Sequence, residues 1–205
     1  MTACGVFRGI QACLKHLYGD GAISGRTIAI QGVGKVGFRL ARLLHQAGGK
    51  IIISDINSHM VERALTEFSG VIAVEQDDIY DQECDVFAPC ALGGSLNAGT
   101  VERLKCSIVA GSANNQLASP ECARLLADRG ILYAVDYVIN AGGLINVTDE
   151  LKPGGYNEAR AKRDTEHIYS RVLKILQFAN KEDRLTTEIT ESMVKEILQH
   201  AHKLR

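Results

Sequence analysis

Apolar runs of strand length alternate with amphipathic helical patterns along most of this chain. A helix is predicted over residues 2–18, where Val6, Ile10 and Leu14 recur at helical spacing. Further along, the patterns predict strands at 27–31, 51–54, 71–74, 84–88, 107–110 and 131–134, and helices at 36–47, 58–68, 97–104 and 120–129. Strands that alternate with helices predict a Rossmann-type α/β fold, a doubly wound parallel sheet with helices on both faces.

The pattern changes after about residue 150, where helical periodicity replaces the alternation. A long helix is expected over 157–180, the charged segment 181–184 should end it, and a second helix should cover 187–204. Each helix has an apolar stripe, which favours packing against other elements. We therefore divide the chain into a sheet domain, residues 1–150, and a C-terminal helical extension, residues 151–205.

Three local signals refine this outline. Ser58 is a candidate N-cap for the helix that follows the second strand. The acidic segment 75–83 is typical of a surface turn or a short helix. The first helix begins directly at residue 2, which indicates a domain cut from a longer chain.

A glycine-rich motif joins the first strand to its helix. Gly32 suits a tight turn, Gly34 lets a pyrophosphate approach the backbone, and Gly37 lets the helix pack closely on the strand. A helix N-terminus also presents free N–H groups and a partial positive charge to an anion. The motif G-x-G-x-x-G consists of Gly32, Val33, Gly34, Lys35, Val36 and Gly37. Its position between a strand and a helix favours a dinucleotide site over glycines that serve packing alone.

An acidic residue ends the next strand. Asp55 lies about 20 residues past the glycines, where a carboxylate can bind the ribose hydroxyls of the adenosine. A phosphate on the ribose 2′ oxygen would be repelled by this charge, and no arginine follows Asp55 directly. We therefore expect the cofactor NAD(H) rather than NADP(H).

Two more strands end in loops of small polar residues. These loops cover 91–95 and 111–116, and the glycine loop covers 32–37. In a parallel sheet the carboxyl ends of the strands lie at one edge, where ligands bind in folds of this type. The three loops are expected to form one binding edge.

Composition narrows the function classes. The chain has 205 residues, 46% of them hydrophobic, and a net charge of -1, so nothing suggests nucleic acid or an anionic membrane surface as a partner. The apolar runs are shorter than the roughly 20 residues of a membrane span, and no signal peptide is recognisable.

None of the six cysteines forms a C-x-x-C pair, so we expect no metal site and buried, reduced thiols in a cytoplasmic protein. His200 and His202 are expected at the surface.

Longer segments carry a family resemblance. They are TACGVFRGI, GVGKVG, DIN, CDVFAPCALGGSLN, IVAGSANNQL and YVINAGGLINV. With these segments the chain resembles the nucleotide-binding half of the glutamate/leucine/phenylalanine/valine dehydrogenase family of amino acid dehydrogenases. The resemblance implies NAD-dependent oxidative deamination of an L-amino acid to a 2-oxo acid and ammonia, with hydride passing from Cα to the nicotinamide.

The resemblance also implies roles for individual residues. Asn140 matches the asparagine that faces nicotinamide and substrate, and Thr2 matches the threonine that holds the carboxamide. Leu144 and Val147 match apolar positions of the substrate pocket, which favours leucine or another apolar amino acid over glutamate. The implied cofactor-binding positions besides the glycine motif and Thr2 are Asp55, Ile56, Cys90, Ala91, Leu92, Ala113, Asn114, Asn115 and Asn140.

The chain departs from the family at the catalytic lysines. In the family these lie in a glycine-rich segment of the preceding domain, and this sequence has no such segment. Lys35 lies in the phosphate loop, and only Asp136 and Asp149 remain as acids near the expected cleft. We therefore expect no catalytic residue here and an inactive isolated chain. The implied partners are an N-terminal catalytic domain of the same protein and, at full length, further copies in a homo-oligomer.

A second class of function stays open. The chain could be a free-standing NAD(H)-binding module for regulation, without catalysis. The intact segment YVINAGGLINV argues against this alternative, because a regulatory module does not need residues on the substrate side. An upstream reading frame that encodes a glycine- and lysine-rich domain would distinguish the two.

Overall fold

A computed structural model describes residues 1–203 as ten α-helices and six strands, with a 3₁₀ turn at Asp78–Asp81. The strands are β1 Thr27–Gln31, β2 Lys50–Ser54, β3 Ile72–Ala73, β4 Val86–Pro89, β5 Ile108–Val109 and β6 Leu132–Tyr133. The helices are α1 Thr2–Tyr18, α2 Lys35–Gln46, α3 Ser58–Glu67, α4 Ala98–Arg103, α5 Glu121–Asp128, α6 Asp136–Ile139, α7 Gly142–Asp149, α8 Glu158–Glu166, α9 Ile168–Glu182 and α10 Thr186–Lys203.

The six strands form one parallel sheet in the order β3-β2-β1-β4-β5-β6. Ile30 on β1 lies opposite Ile53 on β2 and Ala88 on β4, so β1 is paired on both sides. The strand order reverses between β1 and β4, and this reversal is where open α/β sheets leave a crevice for ligands. The predicted Rossmann-type, doubly wound sheet is confirmed.

Alternating side chains of the strands build a core on each face. Ile28 and Ile30 point to the face that α1, α2 and α9 cover, and Ala29 points to the other face. On that second face Val101 of α4 and Leu126 of α5 are buried against the sheet. Strands buried on both faces explain why the predicted strands were continuous apolar runs.

The C-terminal helices pack against the N-terminal helix. Val172 and Leu176 of α9 share the larger core with Val6 and Ile10 of α1. Ile189 of α10 packs on α9 in a smaller cluster. Helices α1 and α9 are thus buried together. The division of the chain at residue 150 stays a prediction.

The single helix predicted over 157–180 is wrong. Two helices, α8 and α9, meet at His167, and Asp183 ends α9 in a left-handed conformation with φ of 50°. The predicted break at 181–184 is therefore confirmed. Leu204, the predicted end of the last helix, lies outside the described residues.

Three other local features differ from or extend the prediction. Asn57, not Ser58, caps α3, because its side chain accepts a hydrogen bond from the His59 N–H at 3.1 Å. The acidic segment contains the 3₁₀ turn at Asp78–Asp81, in agreement with the short helix expected there. Helices α6 and α7 were not predicted. In residues 1–203, no helix combines the length and the apolarity that a membrane span requires.

Candidate functional site

The three glycines of the motif occupy different surroundings. Gly32 has φ of 92°, a left-handed conformation that turns the chain out of β1. A Cβ on Gly37 would lie 1.9 Å from the Gly32 carbonyl oxygen, so this glycine permits the packing of α2 on the turn. A Cβ on Gly34 would meet no atom of residues 1–203 within 4 Å. The middle glycine thus borders open space, as a backbone that a ligand approaches must.

The first turn of α2 points into the same space. Gly34 is the N-cap, no side chain caps the helix, and the first turn contains no acidic residue. Lys35 is exposed at this position. Uncapped N–H groups, the helix dipole and a lysine together favour a phosphate or another anion.

Asp55 at the end of β2 holds the glycine turn in place. One carboxylate oxygen accepts a hydrogen bond from the Val33 N–H at 2.7 Å, and the other accepts from the Asn57 N–H at 2.9 Å. Each carboxylate oxygen has a second lone pair for a ligand hydroxyl. Asp55 therefore braces the turn and can still accept hydrogen bonds from a ribose.

A cavity of about 460 Å³ opens between the ends of β1, β2 and β4. Its size is in the range of small-molecule and cofactor sites. Gln31 Oε1 and Ser95 Oγ are buried there without a hydrogen-bond partner among the described residues, so a ligand donor would satisfy them. The cavity is lined by Gln31, Gly32, Ser54, Asp55, Ile56, Gln76, Asp77, Tyr80, Ala91, Leu92, Gly93, Gly94, Ser95 and Asn97.

The cavity contains residues that no sequence motif indicated. Gln76, Asp77 and Tyr80 line it, although their segment was predicted as a turn or short helix at the surface. Tyr80 accepts a hydrogen bond from Gln31 Nε2 at 2.6 Å, which fixes the floor of the cavity. The signal that could have found them is their position after the carboxyl end of β3, which belongs to the same sheet edge.

The loop after β4 lies against both of its neighbours. A Cβ on Gly32 would lie 2.8 Å from the Cβ of Ala91, and a Cβ on Gly93 would lie 2.7 Å from the Asn114 carbonyl oxygen. The Gly94 N–H donates to the Asn115 carbonyl at 2.8 Å. Small residues therefore let the glycine loop, the loop after β4 and the loop after β5 form one continuous surface.

That surface continues to the start of the chain. Asn140 Nδ2 donates to Asn114 Oδ1 at 2.6 Å, which joins the loop after β5 to the α6–α7 turn. A Cβ on Gly143 would lie 2.7 Å from Thr2 Oγ1, so the first residue of α1 lies against the first turn of α7. The predicted positions Asn114, Asn140 and Thr2 thus come together, beside the group around the cavity.

Some predicted positions lie below or beside this surface. Cys90 and Ala113 are largely covered, and burial raises the pKa of the Cys90 thiol. Val33 is fully buried, so it contributes its main chain and not its side chain. Asn115 is exposed and has φ of 51°, which turns the loop after β5.

The predicted substrate positions are exposed apolar side chains on α7. Leu144 is 67% exposed and Val147 is 58% exposed, and they lie three residues apart on one helix. A monomer has no folding reason to place two large apolar side chains in water side by side. Their exposure suits a surface that a ligand or a further protein element covers.

Neither acid near the α6–α7 turn is placed to act as a general base. Asp136 is buried and accepts from the main-chain N–H groups of Gln116 and Tyr137. Asp149 has no solvent exposure, and its hydrogen bonds with Arg160 lower the pKa of its carboxyl below the usual range. A carboxylate that is already paired and strongly acidic is a poor proton acceptor at neutral pH.

The fold and this sheet edge define a Rossmann-type domain with the features of a dinucleotide site. The model of the Glutamate/Leucine/Phenylalanine/Valine dehydrogenase family, a family of pyridine-nucleotide dehydrogenases, matches residues 1–204. The chain belongs to this family. The resemblance in the sequence is therefore confirmed.

Named relatives match nearly the whole chain. A leucine dehydrogenase of Thermoactinomyces intermedius is 48% identical over 203 residues, which is 95% of this chain and 55% of that protein. A phenylalanine dehydrogenase of the same organism is 42% identical over 205 residues, which is 100% of this chain and 56% of that protein. The crystal structure of L-tryptophan dehydrogenase from Nostoc punctiforme superposes with a TM-score of 0.93 at 39% identity, over 97% of this chain and 60% of that one. The chain thus spans about half the length of these curated relatives.

Proposed function

We propose that this chain is the cofactor-binding half of an NAD-dependent amino acid dehydrogenase. The whole enzyme would oxidise leucine or another apolar L-amino acid to a 2-oxo acid and ammonia. The observation that carries the proposal is the continuous surface from the glycine loop through Ala91 and Asn114 to Asn140 and Thr2. Its length along the sheet edge suits an extended dinucleotide rather than a compact ligand.

Each part of NAD would bind at a different part of this surface. The pyrophosphate would lie over Gly34 at the start of α2, where Lys35 adds positive charge. The adenosine would enter the cavity of about 460 Å³, with its ribose hydroxyls on Asp55. The nicotinamide end would lie beside Asn140 and Thr2, at the far end of the same surface.

The charges of the cavity favour NAD over NADP. Asp55 lines it, and among residues 1–203 no lysine or arginine does. Asp77 also lines it, but its charge is paired with Arg103 at 2.9 Å. A phosphate charge about 4 Å from Asp55 would cost between about 1 kcal/mol in bulk water and about 4 kcal/mol at an effective dielectric constant of about 20. Since Asp55 is half-buried, the cost lies between these limits.

The substrate class follows from α7. Leu144 and Val147 present apolar side chains beside Asn140, and burying them against an aliphatic substrate would be favourable. The relatives named leucine and phenylalanine dehydrogenase also act on amino acids with apolar side chains. A glutamate side chain would gain no charged partner at these two positions.

The chain supplies binding and orientation, and the proton transfer comes from elsewhere. Bound NAD supplies the hydride acceptor. Asn140, fixed by Asn114, can orient the nicotinamide side of the site, and the apolar face of α7 can exclude water from it. The base that deprotonates the substrate would lie on a separate catalytic domain, which would also cover α7, and the full-length enzyme would assemble as a homo-oligomer.

The test is a complementation assay in which NADH formation from L-leucine is followed by absorbance. We expect the chain alone to bind NADH without turnover, and turnover to appear when the amino-terminal half of a leucine dehydrogenase is added. The Gly34→Ala variant is the matched control and should not be complemented.

Two outcomes would contradict the proposal. Turnover by the isolated chain would mean that a general base exists among its own residues. NADH binding without any complementation, also with L-valine and L-phenylalanine as substrates, would favour the regulatory module instead.

A further inference from the structure

Two cysteines face each other at the amino ends of the central strands. Cys84 precedes β4 and Cys106 precedes β5 by two residues each. The pairing continues from the strands to these positions, because Glu83 bridges to Lys105 and the Cys84 N–H donates to the Lys105 carbonyl at 3.2 Å. The parallel register therefore places Cys84 opposite Cys106.

The geometry of this pair suits a disulfide. Neighbouring strands lie about 4.8 Å apart, and a disulfide needs Cα atoms about 4.4–6.8 Å apart. The two thiols lie close enough to interact, and both are partly accessible to solvent. The pair lies at the end of the sheet opposite the candidate cofactor surface, so the proposed function makes no use of it.

The two thiols differ in acidity. The interaction between the two thiols lowers the pKa of Cys106 and raises the pKa of Cys84. Main-chain N–H groups of Phe87 and Ile108 and the positive charge of Arg129 lower the pKa of Cys106 further. Arg129 is held in place by the Leu104 carbonyl at 2.8 Å. The more acidic Cys106 is therefore the first nucleophile of the pair, and Cys84 is the thiol that forms the disulfide with it.

We propose that Cys84 and Cys106 form a redox-active pair that a hydroperoxide oxidises to a disulfide. The Cys106 thiol releases its proton to water, and its thiolate attacks the terminal peroxide oxygen. An S–O bond forms, the O–O bond breaks, and the leaving alkoxide takes up the released proton from water as an alcohol. The Cys84 sulfur then attacks the sulfenic acid of Cys106. An S–S bond forms, the S–O bond breaks, and hydroxide leaves with the Cys84 proton as water.

Atoms and electrons balance over the two reaction steps. Two thiols lose two electrons in total, and the hydroperoxide is reduced to an alcohol and water. A dithiol reductant reverses the reaction by thiol–disulfide exchange. The disulfide would tie the amino ends of β4 and β5 together and enclose the segment that carries Ala91 and Leu92.

The test treats the full chain with hydrogen peroxide and maps its cysteine peptides by mass spectrometry. We expect a pair of peptides linked through Cys84 and Cys106, whose mass is that of the two reduced peptides minus two hydrogen atoms. A dithiol reductant should separate the pair again. In Cys84→Ser, dimedone should trap a sulfenic acid on Cys106. In Cys106→Ser, peroxide consumption should fall at least ~10-fold, because the more acidic thiol is lost.

Cys4→Ser is the matched control, since Cys4 is also partly exposed and lies elsewhere, on α1. It should leave the linked peptide unchanged. Circular dichroism of each variant establishes that it is folded. The proposal is wrong if folded wild-type protein gives no peptide linked through Cys84 and Cys106. It is also wrong if Cys106→Ser consumes peroxide as fast as wild type.

Discussion

Two alanine substitutions in the glycine loop separate ligand binding from folding. Gly34 has φ of -67°, which any residue adopts, and a Cβ there would meet no atom within 4 Å in the described part of the chain. Gly37 lies three residues further on, where a Cβ would overlap the Gly32 carbonyl oxygen at 1.9 Å. The same added methyl group should therefore block the cofactor at one position and disrupt packing at the other.

Gly34→Ala should change cofactor affinity, and Gly37→Ala should change stability. Gly34→Ala should leave stability unchanged or raise it by about 0.4–1 kcal/mol, because alanine restricts the unfolded chain. If the pyrophosphate lies on this backbone, the methyl group should cost about 1–3 kcal/mol of binding, or about 5- to 150-fold in Kd. Gly37→Ala should lose about 1–3 kcal/mol of stability or more, which lowers the unfolding midpoint by at least about 2–4 °C per kcal/mol.

The assay needs two measurements on each variant. The chain has no tryptophan, so NADH binding is best followed by the fluorescence of the cofactor itself or by calorimetry. Thermal unfolding without cofactor reports stability. A lower unfolding temperature of Gly34→Ala would mean that this glycine serves packing. Wild-type affinity of Gly34→Ala for NADH would mean that the pyrophosphate does not bind at this loop.

Three further variants test other parts of the structure. Asp55→Asn should weaken NADH binding and narrow the gap to NADPH by at least about 5-fold, the equivalent of about 1 kcal/mol; titrations with both cofactors measure it, and an unchanged gap would contradict the role of the charge. Asp149 has a lowered pKa in the folded state, so its stabilisation is present above its ordinary pKa and is lost as the pH falls from that value through the lowered one. The unfolding midpoint of wild type should therefore fall more steeply in acid than that of Asp149→Asn. If the two midpoints fall in parallel with pH, the buried ion pair does not contribute as we expect. Leu144→Ala removes a side chain that is 67% exposed, so stability should change by less than about 0.5 kcal/mol while complemented turnover of L-leucine falls; undiminished turnover would exclude Leu144 from the substrate pocket.

The fold was predictable because its strands and helices have strong, regular patterns. Apolar runs such as 51–54 are buried on both sheet faces, and the periodicity of the first helix matched its boundaries. The glycine motif was also readable, since strand, glycines, helix and acid stand in order along the sequence. These features depend on local spacing, which the sequence contains directly.

What could not be predicted depends on contacts between distant segments. Helix α7 begins at Gly142 and Gly143, which are poor helix formers. Glycine is required there because a Cβ would lie 2.6 Å from the Met1 carbonyl oxygen or 2.7 Å from Thr2 Oγ1, and these contacts come from the other end of the chain. The cavity residues Gln76 and Tyr80 are polar enough to suggest an ordinary surface turn. The turn lines a cavity only because the ends of β1, β2 and β4 lie beside it in the folded chain.

The role of Asp55 was predicted only in part. Its position after the second strand indicated a ribose-binding carboxylate, and nothing in the sequence showed that it accepts a hydrogen bond from the Val33 N–H. That bond crosses from β2 to the glycine turn, so it requires the paired strands.

Binding of the two cofactors to the wild-type chain tests the central proposal most directly. A calorimetric titration with NADH and with NADPH, on the chain as it stands, gives both dissociation constants without any need for turnover. We expect saturable binding of one NADH per chain and binding of NADPH that is at least about 5-fold weaker, because the Asp55 carboxylate would face the 2′-phosphate. Equal affinities, tighter binding of NADPH, or no binding of NADH would contradict it.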